Sequence, residues 1–480
     1  MLIRGRLDSR RGQGNLCFVV LRQRVHTLQC VVCKGAAVSK QMVKFTQDIP
    51  LESLVDVEGT LTKSEQPVDS CTVTGLELQV SSLFIVSKSA VLPIQVSDCS
   101  VPPAVFAEQK KAHAEVQGRI DAVLARQEKG EDVTAELAKL QEEKASLSSR
   151  VKVGRETRLD HRIIDLRTRA NNAIFRIQSG VAMLFREFLL QNDFVEIHSP
   201  KLLGAASEGG ASVFRLPYFN RDACLAQSPQ LYKQMCIAAD FGRVFEVGPV
   251  FRAENSHTRR HLCEFMGLDM EMAFNEHYHE VTDMLGQMFC YIFDNLPKRF
   301  ATELAAINDQ YPFKPLRYSN PPRRFTWPEI VKILNDNGEN LGDFEDIGTE
   351  QETKLGALIA EKYGEDFYFV DKFPETVRPF YTMLDPADER YTNSYDWFVR
   401  GWEITSGAQR IHDPEMLTKR ATAKGVDPAT ISDYIDSFRY GCPPHGGGGV
   451  GLERLVMLYL GLKNIRMSSL FPRDPKRITP

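Results

Sequence analysis

No apolar run in this 480-residue sequence approaches the ~20 residues a helix needs to cross a membrane, so no membrane partner is expected. A dominant charge is missing too: 59 Lys and Arg stand against 63 Asp and Glu, a net charge of −4. The chain as a whole is therefore not a basic nucleic-acid binder, and affinity for RNA has to come from a local positive field. Close cysteine pairs are scarce. Of ten cysteines only Cys30 and Cys33 are near neighbours, in "HTLQCVVCKG". That run reads as a strand, where residues three apart face opposite sides, so the two thiols do not chelate one metal. No second CxxC completes a zinc site, and scattered free thiols suit a reducing, cytoplasmic setting. The opening "MLIRGRLDSR" alternates like a strand and lacks the apolar region of a secretory signal. A short repeat and a βαβ period are also lacking, which excludes solenoids and doubly wound sheets.

What remains is ordinary for a soluble globular protein, with 43% hydrophobic and 25% charged residues and enough length for two or three domains. Residues 1–102 read as all-β: "LIRGRL", "NLCFVVLRQ", "HTLQCVV", "LVDVEGTLT" and "CTVTGLELQVSSLFIVS" are separated by turns. Five strands in a separate module predict a small closed barrel of the OB type, with a sandwich as the alternative. Residues 103–170 form a second segment. Val116, Ile120, Val123 and Gln127 share one helical face, and Val133, Leu137, Leu140 and Leu147 share another. Gly130 supplies a stop and Asp132 an N-cap, giving a helical hairpin that is either a spacer or a surface for RNA or protein. From Arg150 to Arg169 seven Lys and Arg face three acids, either as solvated charge or as an RNA-facing hinge. Residues 171–480 mix helices and strands without βαβ order, so the expected class is α+β, an antiparallel sheet carrying helices.

Two stretches carry chemistry. "HGGGGVGLERLVML" contains the GxGxxG spacing at Gly446, Gly448 and Gly451, with Asp474 about 20 residues further on. A dinucleotide fold needs more strands than the remaining chain allows, and Asp474 lies in "FPRDPKR", which is no strand. The glycines instead leave room for a strand and a helix to pack closely. That helix buries Val450, Leu455, Val456, Tyr459 and Leu462 and carries Glu453 and Arg454 in its first turns. The second stretch, "GPVFRAENSHTRRHLCEFMGLDMEM", puts Arg252 and Glu254 on one side of a strand end. A loop with Arg259, Arg260 and His261 follows, and the return strand brings Phe265, Asp269 and Glu271 at even spacing. Cations, an aromatic and carboxylates on one face suit a nucleotide, with a salt-bridge ladder as the alternative.

These residues resemble the class II aminoacyl-tRNA synthetases. "FRAE" to "CEF" is similar to their second signature motif and "GGGGVGLERLVML" to their third. "FVEIHSPKLLG" is similar to the first, whose Pro200 lies at the dimer interface in the family. With the N-terminal barrel, the resemblance is to the aspartyl, asparaginyl and lysyl subgroup, and it covers nearly everything except the hairpin.

The resemblance implies an ATP-dependent activation of an amino acid, with Mg²⁺, and transfer to tRNA by a cytoplasmic homodimer. It implies that Arg252 bridges the amino acid and the α-phosphate, that Arg454 and Phe265 sandwich the adenine, and that Glu254 meets its amino group. Leu262, Gly451 and Glu453 complete the nucleotide site. Arg260 and His261 reach the terminal phosphates, and Glu403 holds the metal with Ser406 nearby. Asp269 and Gln230 meet the substrate ammonium.

Lys233 in "AQSPQLYKQ" and Arg410 in "EITSGAQRIH" resemble the pair that holds the side-chain carboxylate in the aspartyl branch, which implies L-aspartate and tRNA-Asp. Two converging buried cations favour a carboxylate, and asparagine there would leave them unbalanced at roughly 3–5 kcal/mol. Ser207 and Glu208 in "SEGGAS" resemble a mobile loop over the substrate, hinged on Gly209 and Gly210. An extra domain found in bacterial aspartyl enzymes does not fit between Glu271 and Gly446, which points to the eukaryotic cytosolic or archaeal type. In the barrel, Phe18 resembles a base-stacking aromatic and Gln29 a polar anticodon reader. Glu65 and Gln66 occupy the turn where some relatives have a third contact. The alternatives are an asparaginyl enzyme, a catalytically silent tRNA-binding relative, and an asparagine synthetase on the same fold, which would not need the barrel.

Overall fold

The structure, a computed structural model, describes residues 1–129, 131–147, 151–204 and 212–480. It has two compact units. One comprises Met1–Ala173 with Thr302–Tyr311, and the other Ile174–Ala301 with Pro312–Pro480.

In the first unit β1 (Leu2–Gln13), β2 (Leu16–Gln23), β3 (His26–Cys33), β4 (Leu54–Lys63) and β5 (Leu76–Ser87) close a barrel in the order β1-β2-β3-β5-β4. Alternation along each strand turns Leu7, Val19, Val32, Val55 and Leu78 into one core. Cys30 is buried and Cys33 exposed, as opposite faces of β3 require. The sequence reading missed the helix Lys40–Asp48, capped by Ser39, which accepts from Met42 N at 3.1 Å. It has nine residues, with Val43 in the barrel core and Met42 packed against it.

The hairpin is present as helices Pro103–Gln127 and Thr134–Ser146. Val116, Ile120 and Val123 meet Val133 and Leu140, with Leu137 and Leu147 packed alongside. Gln127 is exposed and not part of that face. Asp132 Oδ1 accepts from Thr134 N at 3.2 Å and Thr134 Oγ1 at 2.9 Å. Gly130 and Arg150 lie outside the described residues. Much of the basic run is structural: Arg158 and Arg162 both bond buried Asp165, at 2.5 and 2.7 Å, and Arg167 reaches Glu52 at 3.3 Å.

The second unit is built on an eight-stranded sheet. Its strands are β6 (Val195–Glu196), β10 (Arg243–Phe251), β11 (Glu264–Ala273), β12 (Arg323–Thr326), β13 (Phe367–Asp371), β16 (Ser394–Val399), β17 (Trp402–Gln409) and β18 (His445–Gly451). Their order is β12-β13-β16-β17-β18-β11-β10-β6. The sheet is mixed and not wholly antiparallel as expected: β12 runs parallel to β13 and β6 parallel to β10, so only the six central strands alternate. Beside it β7 (Leu202–Leu203), β8 (Arg215–Tyr218) and β9 (Arg221–Leu225) make a small sheet, and β14 (Leu384–Asp385) pairs with β15 (Asp388–Thr392). The amphipathic helix Arg169–Gln191 buries Ile177, Leu184 and Phe185, and Phe185 meets Phe245 of β10 edge-on at 5.8 Å.

The glycine run is not a loop. It is β18, between β11 and β17 in the middle of the sheet. A Cβ on Gly447 would sit 2.1 Å from the Met270 carbonyl oxygen and 2.4 Å from Glu271 Oε2. One on Gly449 would sit 2.6 Å from Asp269 Oδ1. The glycines therefore clear space for two acids of the neighbouring strand, at a cost in strand propensity that pairing on both sides offsets. The helix Leu452–Tyr459 follows, burying Leu455, Val456 and Tyr459.

Candidate active site

A cavity of about 940 Å³ opens over β10, β11, β17 and β18. At one end lie Gln230, Asp269 and Arg410. Arg410 follows β17 directly and donates to Glu271 from Nε at 2.9 Å and Nη2 at 3.2 Å. Its Nη2 also donates to the Gly447 carbonyl at 2.9 Å. Lys233, on the helix Gln230–Ala238, contacts Asp269 at 3.1 Å and Glu271 at 3.3 Å. Lys233 and Glu271 stand behind the wall, 2% and 0% exposed. Burial opposes ionisation of Glu271, but Arg410 and Lys233 outweigh it and hold its carboxyl below the ordinary value.

The cluster corrects one expectation. Lys233 and Arg410 do converge, but Asp269 and Glu271 already balance them two against two. The cost of roughly 3–5 kcal/mol expected for unbalanced cations therefore does not arise from an empty pair. Glu271 carried no assigned role in the sequence reading; an acid at even spacing from Asp269 was the available signal. A further buried layer holds the helix: Gln230 Nε2 donates to Gln234 Oε1 at 2.9 Å, as does Tyr434 OH, and Gln234 Nε2 meets His445 Nε2 at 3.0 Å. Burial pushes the His445 imidazole down to about 4, so it is neutral.

In the middle of the cavity Arg252 and Glu254 lie just past the end of β10, in the following segment and not on the strand itself, yet both reach the wall. The Arg252 guanidinium lies 5.6 Å from the centre of the Phe265 ring. Gly451 lies beside Arg454 and Phe265: a Cβ there would meet Arg454 Cβ at 3.7 Å and the Phe265 ring at 3.8 Å, ordinary van der Waals distances. Arg454 Nη1 donates to the Glu403 carbonyl at 3.2 Å. Glu453 is buried, which raises its carboxyl to about 7, and it accepts from Met266 N at 3.0 Å. Leu262 is buried in the same wall.

The far end is charged. His261 Nδ1 meets Thr258 Oγ1 at 2.7 Å, and burial lowers its imidazole against the opposing pull of Glu254. Arg260 pairs with Glu352 at 3.1 Å. Ser406 accepts from Arg378 Nη1 at 2.8 Å, and Arg378 Nη2 contacts Asp396 at 2.9 Å. Asp396 was missed in the sequence. It lies opposite Ser406 in the β16–β17 register, and burial, with Glu403 adding to it, raises its carboxyl to about 7. Its Oδ1 is buried with no hydrogen-bond partner among the described residues. The carboxyls of Glu403 and Asp396, the latter with its unpartnered Oδ1, and the Ser406 hydroxyl are hard oxygen donors of the kind Mg²⁺ takes.

Ser207, Glu208, Gly209 and Gly210 lie outside the described residues. Pro200 is exposed, as are Leu190, Val195 and Leu202 near it in sequence. In the barrel unit Phe18 and Gln29 share one outer face, because Val20 is the cross-strand partner of Gln29. Arg11 lies over the Phe18 ring at 5.4 Å. The acid beside Gln29 is Glu77 of β5, accepting from Gln29 Nε2 at 2.5 Å. Glu77 was not singled out in the sequence, because a parallel β3–β5 pairing is not visible from linear spacing.

Comparison with known proteins gives two family matches: tRNA synthetases class II (D, K and N) over residues 154–475, and an OB-fold nucleic acid binding domain over residues 1–86. A cytoplasmic aspartate–tRNA ligase of Dictyostelium discoideum is 52% identical over 484 residues, covering 100% of this chain and 83% of that protein. The cytoplasmic aspartate–tRNA ligase of Homo sapiens is 48% identical, covering 100% and 88%. Among solved structures an aspartyl-tRNA synthetase of Entamoeba histolytica superposes with a TM-score of 0.87 at 49% identity, covering 100% of this chain and 89% of that one. An asparaginyl-tRNA synthetase of Pyrococcus horikoshii, complexed with asparaginyl-adenylate, gives 0.79 at 27%, covering 100% and 96%.

Proposed function

The chain belongs to the class II tRNA synthetases, and from that premise we propose how its cavity joins L-aspartate first to ATP and then to tRNA-Asp. Its activity is aspartate–tRNA ligation with ATP as a substrate, and its relatives work in the cytoplasm. The observation that carries the reading is the buried tetrad of Lys233, Asp269, Glu271 and Arg410 at the closed end of a cavity lined further along by Arg252, Phe265 and Arg454.

The aspartate α-carboxylate attacks the α-phosphorus, the bond to the bridging oxygen breaks, and pyrophosphate leaves. The carboxylate is already ionised, so the step needs no general base; positioning and charge stabilisation supply the acceleration. Arg410 grips the side-chain carboxylate, backed by Lys233, while Asp269 and Gln230 take the ammonium. Arg252 bridges the two reactants. Adenine lies between Phe265 and Arg454, with Glu254 at its amino group, and Gly451, Leu262 and Glu453 shape that slot. Arg260 and His261 face the terminal phosphates. Glu403 and Ser406, with Asp396, would hold Mg²⁺, which neutralises charge building on the phosphate oxygens. Ser207 and Glu208 are assigned to the aspartate site by the family resemblance alone. The 3′-hydroxyl of the tRNA then attacks the adenylate carbonyl and AMP departs.

Residues 1–102 bind the anticodon through Phe18 and Gln29, residues 103–170 form the hairpin and hinge, and residues 171–480 do the chemistry. Exposed Leu190, Val195 and Leu202 near Pro200 support a homodimer through that face. The test is aminoacylation with aspartate and asparagine against tRNA-Asp and tRNA-Asn. Charging of tRNA-Asp with aspartate is expected; charging with asparagine alone would overturn the proposal, and no aspartate-dependent adenylate would leave only a binding module.

A further inference from the structure

The segment between β10 and β11 has no regular structure, yet its two adjacent arginines converge on one ring. The guanidinium carbons of Arg259 and Arg260 lie 5.0 and 5.2 Å from the centre of the Trp402 indole. Trp402 opens β17, one residue before Glu403, and is half-buried. Its position is fixed from behind. Arg400 and Gly401 form the β16–β17 turn with φ of 53° and 75°. A Cβ on Gly356 would lie 2.2 Å from Gly401 Cα, so the helix Thr349–Tyr363 rests directly on that turn. The same helix supplies Glu352, which pairs with Arg260. Ile465 N donates to the Arg259 carbonyl at 3.0 Å, which fixes the arginine backbone from a third side.

We propose that Trp402 is a positioning residue for ATP: its π face holds Arg260 on the wall of the cavity and the exposed Arg259 beside it, at the polyphosphate end. The proposal rests on the synthetase reading. A guanidinium is flat, so its face can lie on an indole while its N–H edge stays available to phosphate oxygens. Stacking therefore does not compete with phosphate binding; it removes the rotamer freedom that two long side chains would otherwise lose when ATP arrives. Glu352 alone orients only Arg260, whereas the indole orients both.

The experiment is aspartate-dependent ATP–pyrophosphate exchange with Trp402→Leu and Trp402→Phe, alongside thermal melts. Trp402→Leu keeps an apolar side chain without a π face. It should raise the KM for ATP about tenfold, the size that two ordinary cation–π contacts supply, with the KM for aspartate within about twofold. Trp402→Phe should recover most of the loss. Equal KM values for ATP in the wild type and the leucine variant, or in the leucine and phenylalanine variants, overturn the inference. A second readout does not depend on how the leucine variant folds. The chain has three tryptophans, and Trp327 and Trp397 are fully buried. ATP with magnesium should change the emission of the wild type and not that of Trp402→Phe; an unchanged wild type, or a phenylalanine variant that responds in full, overturns the proposal. Absence of aspartate-dependent exchange in the wild type would instead count against the synthetase reading itself.

Discussion

Replacing Lys233 with Met keeps the volume and removes one charge from a cluster that is balanced two against two. Asp269 and Glu271 would then share Arg410 alone, and the site would carry one net negative charge beside the substrate carboxylate. At about 5 Å and an effective dielectric of about 20, that repulsion is about 3 kcal/mol. Since every 1.4 kcal/mol is roughly tenfold, the KM for aspartate should rise about a hundredfold. The KM for ATP should stay within about twofold, because the nucleotide end shares none of these contacts. The apo protein should also lose stability, by up to roughly 3–5 kcal/mol, because a buried carboxylate is left under-compensated. Aspartate-dependent pyrophosphate exchange measures the two KM values, and urea unfolding measures the stability. The double variant Lys233→Met, Glu271→Gln separates the effects: with charge balanced again, stability should return toward the wild type. If Lys233→Met leaves the KM for aspartate within about threefold, the charge argument fails.

Three further outcomes follow from other parts of the structure. Gly447→Ala puts a Cβ 2.1 Å from a neighbouring carbonyl in the middle of the sheet, so it should lower unfolding free energy by about 3 kcal/mol in a denaturant titration. The His445 imidazole titrates near 6.5 unfolded but at about 4 when folded. The unfolded state therefore takes up a proton first, and stability falls as pH drops from about 6.5 to about 4, by ~3 kcal/mol, and then levels. Unfolding curves of the wild type and His445→Gln over that range should differ by this slope. Glu77→Ala releases Gln29 in the barrel and should raise the KM for tRNA-Asp about tenfold, with pyrophosphate exchange unchanged.

Much of the molecule was legible because its signals are local. Period-two alternation marked all five barrel strands, and the buried 3.6-period stripes marked both hairpin helices. Arg252, Arg454 and Glu403 stood in short motifs and all line one cavity. What was not legible depended on residues distant in sequence. Glu77 meets Gln29 only because β3 and β5 pair in parallel. Asp396 meets Ser406 only through strand register. The parallel edges at β6 and β12 are two and four residues long, too short to set a period. Trp402 sits next to a motif residue, but its two arginine partners come from a loop some 140 positions away.

The glycine run shows why a motif's chemistry and its spacing have to be separated. GxGxxG elsewhere makes room for a phosphate against backbone. Here the same absence of side chains makes room for carboxylates. Gly447 and Gly449 face Glu271 and Asp269 across the β18–β11 pairing, and it is their missing Cβ atoms that let these acids lie over the strand and reach Lys233 and Arg410. On the proposed reading, aspartate recognition therefore depends on the stretch Gly446–Gly449 of β18 that carries no side chains. A substitution at Gly447 or Gly449, where a Cβ would lie 2.1 and 2.6 Å from its nearest neighbours, should damage aspartate binding first, whereas Gly451→Ala, whose Cβ would meet nothing nearer than 3.7 Å, should be tolerated.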